Sequence, residues 1–341
     1  MLSRFWLLGL ALFVFSGPAS AHPLTDRPAE VPTWGAAWTF ERYRDAMRAS
    51  NRKVNIDAAG FAAIQQRRGM VQTALERYLV WRFGKADPAV LRAFQEMPRE
   101  YFHFHYQNDA SFAAAAYEAT ARPWAIGYGS ALSDYLGQSY MTQLAQVTPD
   151  STVLEIGTGS GYQIGYLARL AKRAYSIEII EPLGKATAGM FEPIGFTNVA
   201  TRVSDGFYGW PEVEGGFDVI MVTCVAQYVP PALFEQLKPG GRLIIPIGQP
   251  FRQGQILYVY TKEADGRITS RRDVGVYFIP MTGRMFTPPA VRPAAPAPAP
   301  APAPAAAPPP VAAPAPAAPS EPTPATLRLP PARPGATMGP R

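Results

Sequence analysis

Cysteine occurs once in the 341 residues, at Cys224, so no intrachain disulfide and no cysteine-cluster metal site can form. Histidine occurs three times. His103 and His105 would share one face of an extended segment, but no third ligand is evident and two rarely hold zinc. No metal site is expected. Beyond residue 15 no apolar run is long enough to span a bilayer. A dense basic stripe is also missing. The formal charge is +6, yet residues 288–341 hold four Arg against one Glu, and Arg4 lies in the first 21 residues. Residues 22–287 keep 27 basic and 25 acidic side chains, close to neutral. Nucleic acid is therefore not an expected partner.

Proline is scarce in the middle of the chain and crowded at its end: 20 of 37 lie in 288–341. Proline removes backbone donors, and a segment with few large apolar residues cannot offset its ordering entropy. Residues 288–341 are expected to be a disordered, polyproline-like tail, either a spacer or a tolerated appendage. At the other end Arg4 precedes the apolar run Phe5–Phe15. Gly17-Pro18 breaks that run, and Ala19-Ser20-Ala21 offers a small-x-small cleavage site. This is the pattern of a secretory signal over 1–21. It implies a periplasmic or secreted protein with no membrane span once the signal is removed. An uncleaved anchor would also place the remaining chain outside the cytoplasm.

Between these ends two patterns succeed one another. Apolar residues at helical spacing run through 39–83 (Phe40, Tyr43, Met47, Phe61, Ile64, Leu75, Leu79), and Pro88–Met97 suits a shorter helix with proline in its first turn. Residues 99–150 are mixed. From Thr152 strands and helices alternate. Strands are expected at Thr152–Ile156, Ala174–Glu178, Asn198–Val203, Phe217–Thr223 and Arg242–Ile247. Helices are expected through Lys172, at Pro182–Ile194 and at Pro230–Leu237. Gln255–Thr261 and Val274–Ile279 form a closing pair. This alternation predicts an α/β fold: a three-layer, doubly wound, mostly parallel sheet with an N-terminal helical extension. The expected division is an extension with a substrate-side loop at 22–150 and a nucleotide-type domain at 151–287.

Three pieces carry chemistry. The first is Glu155-Ile156-Gly157-Thr158-Gly159-Ser160-Gly161, which joins the first strand to a helix. Alternate glycines let the backbone turn tightly and approach a ligand where a Cβ would clash. A dinucleotide loop would need Gly-x-Gly-x-x-Gly, and Tyr162 occupies its third glycine position. The second piece is Glu178, at the end of the next strand, where a carboxylate can accept ribose hydroxyls. The third is Asp205-Gly206 after the third strand, where an Asp could accept from an adenine amino group. An ordinary Asp-Gly turn would look the same.

In this order the pieces resemble class I S-adenosylmethionine methyltransferases. The strings LEIGTGSGYQ, YSIE, DGFYGWPE, FDVIMVT and LKPGGRLIIPIG, with RRGMVQTALERY and VLRAFQEMPREYF upstream, resemble the protein-L-isoaspartate O-methyltransferase family over roughly 65–283. The resemblance implies S-adenosyl-L-methionine as cofactor, held by Glu155, Gly157, Thr158, Gly159, Ser160, Gly161, Glu178, Asp205 and Gly206. It implies a protein or peptide substrate with an isoaspartyl carboxylate. The family's Gly-Gln-Thr-Ile-Ser-Gln-Pro segment corresponds to the stretch that begins Gly129–Ser133, making Ser133 the catalytic-site serine. Ser130 and Ala131 replace Gln and Thr, and Asp134–Gly137 read as an insertion before Gln138. Ser139 is the competing alignment. This departure leaves open a different acceptor, and export leaves open a non-catalytic envelope protein that kept the fold. Cys224, near the cofactor edge, reads best as a small buried residue.

Overall fold

The computed structural model describes residues 38–286. The expected signal segment 1–21 and the Pro/Ala tail 288–341 lie outside the described residues.

The first helical stretch is two helices, α1 (Phe40–Ala49) and α2 (Ala58–Phe83), each with a side-chain cap. Thr39 accepts from the Arg42 N–H and Asp57 from the Gly60 N–H, which satisfies donors that a helix start leaves open. Left-handed Asn51 breaks the chain between them, and left-handed Gly84 ends α2. Helix α3 (Pro88–Glu96) comes next, with Asp87 capping it and proline at its first position. Within the mixed region lies α4 (Tyr135–Ala145), a helix that the sequence pattern does not mark. Its buried face includes Gln138, Ser139 and Thr142, so it carries little apolar periodicity.

Seven strands make the central sheet: β1 (Thr152–Ile156), β2 (Arg173–Glu178), β3 (Val199–Val203), β4 (Phe217–Val222), β5 (Leu237–Ile247), β6 (Gln255–Lys262) and β7 (Ile268–Val276). Their order is β7-β6-β5-β4-β1-β2-β3. β1 to β5 run parallel, and β6 is antiparallel to both of its neighbours. Helices α5 (Tyr162–Ala168), α6 (Glu181–Ala188) and α7 (Pro231–Glu235) fill the crossovers. They are shorter than the pattern suggests. Gly189 caps α6 before Pro193, and β5 begins early because Leu237 already pairs with Phe217. β7 likewise starts at Ile268, six residues ahead of the expected Val274.

β1 shows how the layers are built. Val153, Leu154 and Ile156 are all buried, as a central parallel strand requires. Alternate side chains go to opposite faces. Leu154 and Ile156 join one apolar cluster with Ile220, Val222, Trp210 and Leu233. Val153 joins the other, with residues of α1 to α5. The extension thus shares a core with the sheet: Tyr101 donates to the Met190 carbonyl, Tyr166 to the Val90 carbonyl, and Arg169 pairs with Glu96.

A polar knot fixes the start of the extension. Glu100 is fully buried and accepts from Trp38 Nε1 (2.8 Å), Gln65 Nε2 (2.6 Å) and the Tyr117 hydroxyl (2.9 Å). Glu100→Ala would remove the acceptor that Trp38, Gln65 and Tyr117 share. Stability is expected to fall by about 3 kcal/mol or more, read as a lower denaturant midpoint at unchanged slope.

Candidate active site

β1 lies between β2 and β4, where the strand order reverses. Open α/β sheets bind ligands at the carboxyl ends of the strands beside such a reversal. Here the chain leaves β1 through Gly157 (φ 100°), Gly159 (φ 53°) and Gly161 (φ 84°), all in conformations that favour glycine. A Cβ on Gly157 would stand 2.7 Å from Thr223 Oγ1. That hydroxyl, just past β4, donates to the carbonyls of Ile156 (3.0 Å) and Gly157 (2.8 Å). From the other side Glu178, ending β2, accepts the Gly159 N–H at 2.8 Å and the Ile180 N–H at 3.0 Å. Both neighbouring strands therefore grip the loop.

Beneath the loop runs a buried hydroxyl chain. Thr158 Oγ1 meets Ser176 Oγ at 2.7 Å, and Ser176 donates to Glu155 Oε2 at 2.7 Å. Glu155 is fully buried, and its Oε1 has no hydrogen-bond partner among the described residues. Burial, with a smaller push from Glu178, holds its carboxyl well above the ordinary range against the Ser176 bond. Burial also raises Glu178, while its backbone donors oppose that.

One cavity of about 730 Å³ opens over these groups. Of the ten residues expected at the site, Ser133, Glu155, Gly157, Thr158, Gly159, Ser160, Glu178 and Gly206 lie on its wall. Gly161 does not; it packs on Phe191 and sets up the start of α5. Asp205 also stays off the wall. Its carboxylate accepts the Phe207 N–H (2.9 Å) and the Arg284 N–H (2.7 Å). Gly206 is the member of that pair on the wall, pressed on Ile156 so closely that a Cβ would come within 2.3 Å.

Ser133 stands just before α4. Its carbonyl accepts from Arg99 Nη2 at 2.7 Å, and Arg99 Nη1 donates to Gln138. The Arg99 guanidinium is buried, 5.0 Å from the Tyr162 ring centroid, and desolvation lowers its proton affinity. Arg99 thus joins the Ser133 loop to the residue that comes after the glycine loop. Ser139, the competing serine, is fully buried within α4 and accepts from the Tyr166 hydroxyl at 3.1 Å. Within the segment read as an insertion, Asp134 caps α4 through the Gly137 N–H at 2.8 Å, and Tyr135–Gly137 form its first turn.

Sequence reasoning does not single out Thr223, Ser176 or Arg99. The available signals are a hydroxyl closing an apolar strand, a serine inside a buried one, and an arginine in a Pro-Arg-Glu step. Cys224 is buried on the cavity wall, and desolvation pushes its thiol up. His103 is buried, bonded through Nδ1 to the Phe112 carbonyl at 2.9 Å, and pushed down to about 3 by burial. It is a neutral core residue. Among the described residues no group of three or more His, Cys, Asp or Glu could hold a metal ion.

A family model described as protein-L-isoaspartate(D-aspartate) O-methyltransferase matches residues 74–286. The chain belongs to this family. A protein-L-isoaspartate O-methyltransferase from Nitrosospira multiformis is 39% identical, over 72% of this chain and 98% of the relative. Another, from Syntrophobacter fumaroxidans, is 43% identical over 59% of this chain and 79% of the relative. A solved protein-L-isoaspartate O-methyltransferase superposes with TM-score 0.56 and 26% identity, covering 64% of this chain and 67% of that one. A Plasmodium falciparum family structure in complex with S-adenosyl-L-homocysteine shares the fold, with TM-score 0.51 and 22% identity, covering 62% and 98%.

The buried Glu155 gives this family member a pH signature. Its folded-state pKa lies above the ordinary 4.5. Its stability contribution is therefore full below about 4.5 and is lost as pH rises through the folded pKa. Gln cannot ionise, so ligand-free Glu155→Gln is expected to gain thermal stability relative to the parent as pH rises from 4.5 to 8. Parallel melting profiles for the two proteins would show that Glu155 titrates normally.

Proposed function

We propose that this chain is an exported S-adenosylmethionine-dependent carboxyl O-methyltransferase acting on isoaspartyl residues of proteins. One observation carries the reaction: Ser133, the glycine loop and Glu178 share the wall of a single cavity.

The cofactor side of that cavity suits S-adenosylmethionine. Gly157 and Gly159 leave a cradle in conformations that side chains rarely adopt. A carboxylate offers about four lone-pair sites, and those of Glu178 not taken by the backbone N–H groups beside it suit a ribose hydroxyl. Glu155 Oε1 is an acceptor without a partner, and two buried carboxyls suit a ligand bearing cationic groups. These residues, with Thr158, Ser160 and Gly206, would hold the cofactor, which supplies a methyl group already activated by its sulfonium.

Little acid–base work is left for the protein. An isoaspartyl α-carboxylate is ionised at neutral pH and is itself the nucleophile. Ser133 orients it by donating a hydrogen bond to one oxygen, and Arg99 holds the Ser133 backbone in place. The cavity walls keep water out and fix the line of approach, which is catalysis by proximity. The next chemistry needs no residue of this chain. The backbone nitrogen of the residue after the isoaspartate attacks the ester carbonyl, the bond to the methoxy oxygen breaks, and methanol leaves with the amide proton. The resulting succinimide hydrolyses to aspartate or isoaspartate.

The export part of the proposal rests on Arg4, the run Phe5–Phe15 and Ala19-Ser20-Ala21. It places the mature enzyme in the periplasm or outside the cell, acting on proteins rather than nucleic acid. The intact mass of protein recovered from outside the cytoplasm should correspond to a chain starting at His22. A cytosolic product that retains the leader would remove this part.

Cofactor and acceptor roles separate experimentally. Glu178→Ala is expected to weaken S-adenosylhomocysteine binding about ten- to 150-fold by calorimetry, the effect of losing hydrogen bonds to a charged acceptor. An unchanged dissociation constant would move the ribose elsewhere.

For the acceptor, Ser133→Ala should lower turnover of an isoaspartyl peptide about fivefold or more, with cofactor affinity unchanged. Ser139→Ala should act through stability alone. Cofactor binding without turnover of any isoaspartyl peptide would point to another acceptor, and no cofactor binding to a non-catalytic protein.

A further inference from the structure

The cavity does not end at Ser133. Leu136, Gly137, Tyr140 and Met141 come after that serine at spacings of three, four, seven and eight residues, and all lie on the wall. Within α4 these four residues share one helical face, so the helix carries the wall about 7.5 Å along its axis from Leu136 to Met141. Leu257 of β6 and Val274 and Val276 of β7 also contribute to this wall. A bulge places two of these residues. Ile256 pairs with Gly275 but Tyr258 pairs with Arg272, so Leu257 stands against both Asp273 and Val274.

The polar groups at this end satisfy one another. The Tyr140 hydroxyl donates to Asp273 Oδ1, and Arg271 Nη1 donates to Asp273 Oδ2, leaving the Asp273 side chain 4% exposed. Beside them the lining is aliphatic at Leu136, Met141, Leu257, Val274 and Val276, with the Tyr78 ring packed on Tyr140. A phosphate or charged side chain would be desolvated against these aliphatic groups. An apolar side chain would lose only water, against a Met that adapts to shape.

We propose that this annex receives the large apolar side chain of a residue flanking the isoaspartate, making it the determinant of sequence preference among damaged sites. The proposal rests on the isoaspartyl reading above. Its reach is set by chain geometry. Neighbouring Cα atoms lie about 3.8 Å apart, and the three residue steps from Ser133 to Leu136 span at most about 11 Å. A carboxylate held at Ser133 therefore delivers its neighbour's side chain to the annex.

The test uses the full-length protein and a series of isoaspartyl peptides with Gly, Lys, Leu or Phe on either side of the isoaspartate. At one flank, Leu or Phe should raise kcat/KM about tenfold or more over Gly, the range that burying one such side chain supplies. Leu136→Asp and, from the opposite wall, Val276→Asp should each bring that ratio towards one, with S-adenosylhomocysteine affinity unchanged. The ratio is insensitive to a general loss of active protein, so a partly folded variant still reports. Equal turnover of every peptide by the parent protein overturns the proposal alone. So does a preference that survives both substitutions, or a loss of S-adenosylhomocysteine binding that assigns the annex to the cofactor. Failure to turn over any isoaspartyl peptide overturns the isoaspartyl reading and this proposal with it.

Discussion

Strand β1 is hydrogen-bonded on both sides, to β2 and to β4, and the chain leaving its carboxyl end has no free edge to run along. It must turn in place, and glycines with positive φ accomplish the turn. Both neighbouring strands then reach the turned segment with side chains at their own ends, Glu178 from one and Thr223 from the other. The site is a property of the sheet before it is a property of any ligand. A loop already held by bonds to its backbone has little ordering entropy left to lose on binding.

The acceptor side is fixed by a different device. A buried guanidinium ordinarily calls for a carboxylate. Arg99 instead donates to a carbonyl and an amide, with an aromatic face nearby. Those neutral acceptors tie Ser133 and α4 to the step that also carries Glu100, and Glu100 ties that step to Trp38 and α2. The N-terminal extension is therefore the scaffold of the serine. The Ser133 segment and the glycine loop are separated in the chain by α4 and β1 and meet through Arg99 and Tyr162.

Much of this is visible in the residues. Runs such as Phe217–Val222 are apolar throughout because both faces of a central parallel strand are buried. Glu155 and Glu178 stand out by their places relative to glycines and strand ends. Other features depend on tertiary partners. Helix α4 hides because Gln138, Ser139 and Thr142 look solvent-facing, yet each is buried and bonded to a group far away or one turn off. Asp134–Gly137, which read as an insertion, form the cap and first turn of this same helix. Asp205 does sit at a strand end, but no local pattern reveals that Arg284, 79 positions later, takes one of its oxygens.

β7 is the last strand of the sheet, and residues 268–272 along it are exposed. An exposed outer strand offers its backbone to other chains able to add as a further strand. Such edges recruit unwanted partners unless bulges and charged side chains interrupt them. Here the bulge at Asp273 and Val274 breaks the regular ladder, and Arg271 and Arg272 stand beside it. The irregularity that sets Asp273 beside Tyr140 therefore also leaves an outer edge with an interrupted ladder, a poor template for a further strand.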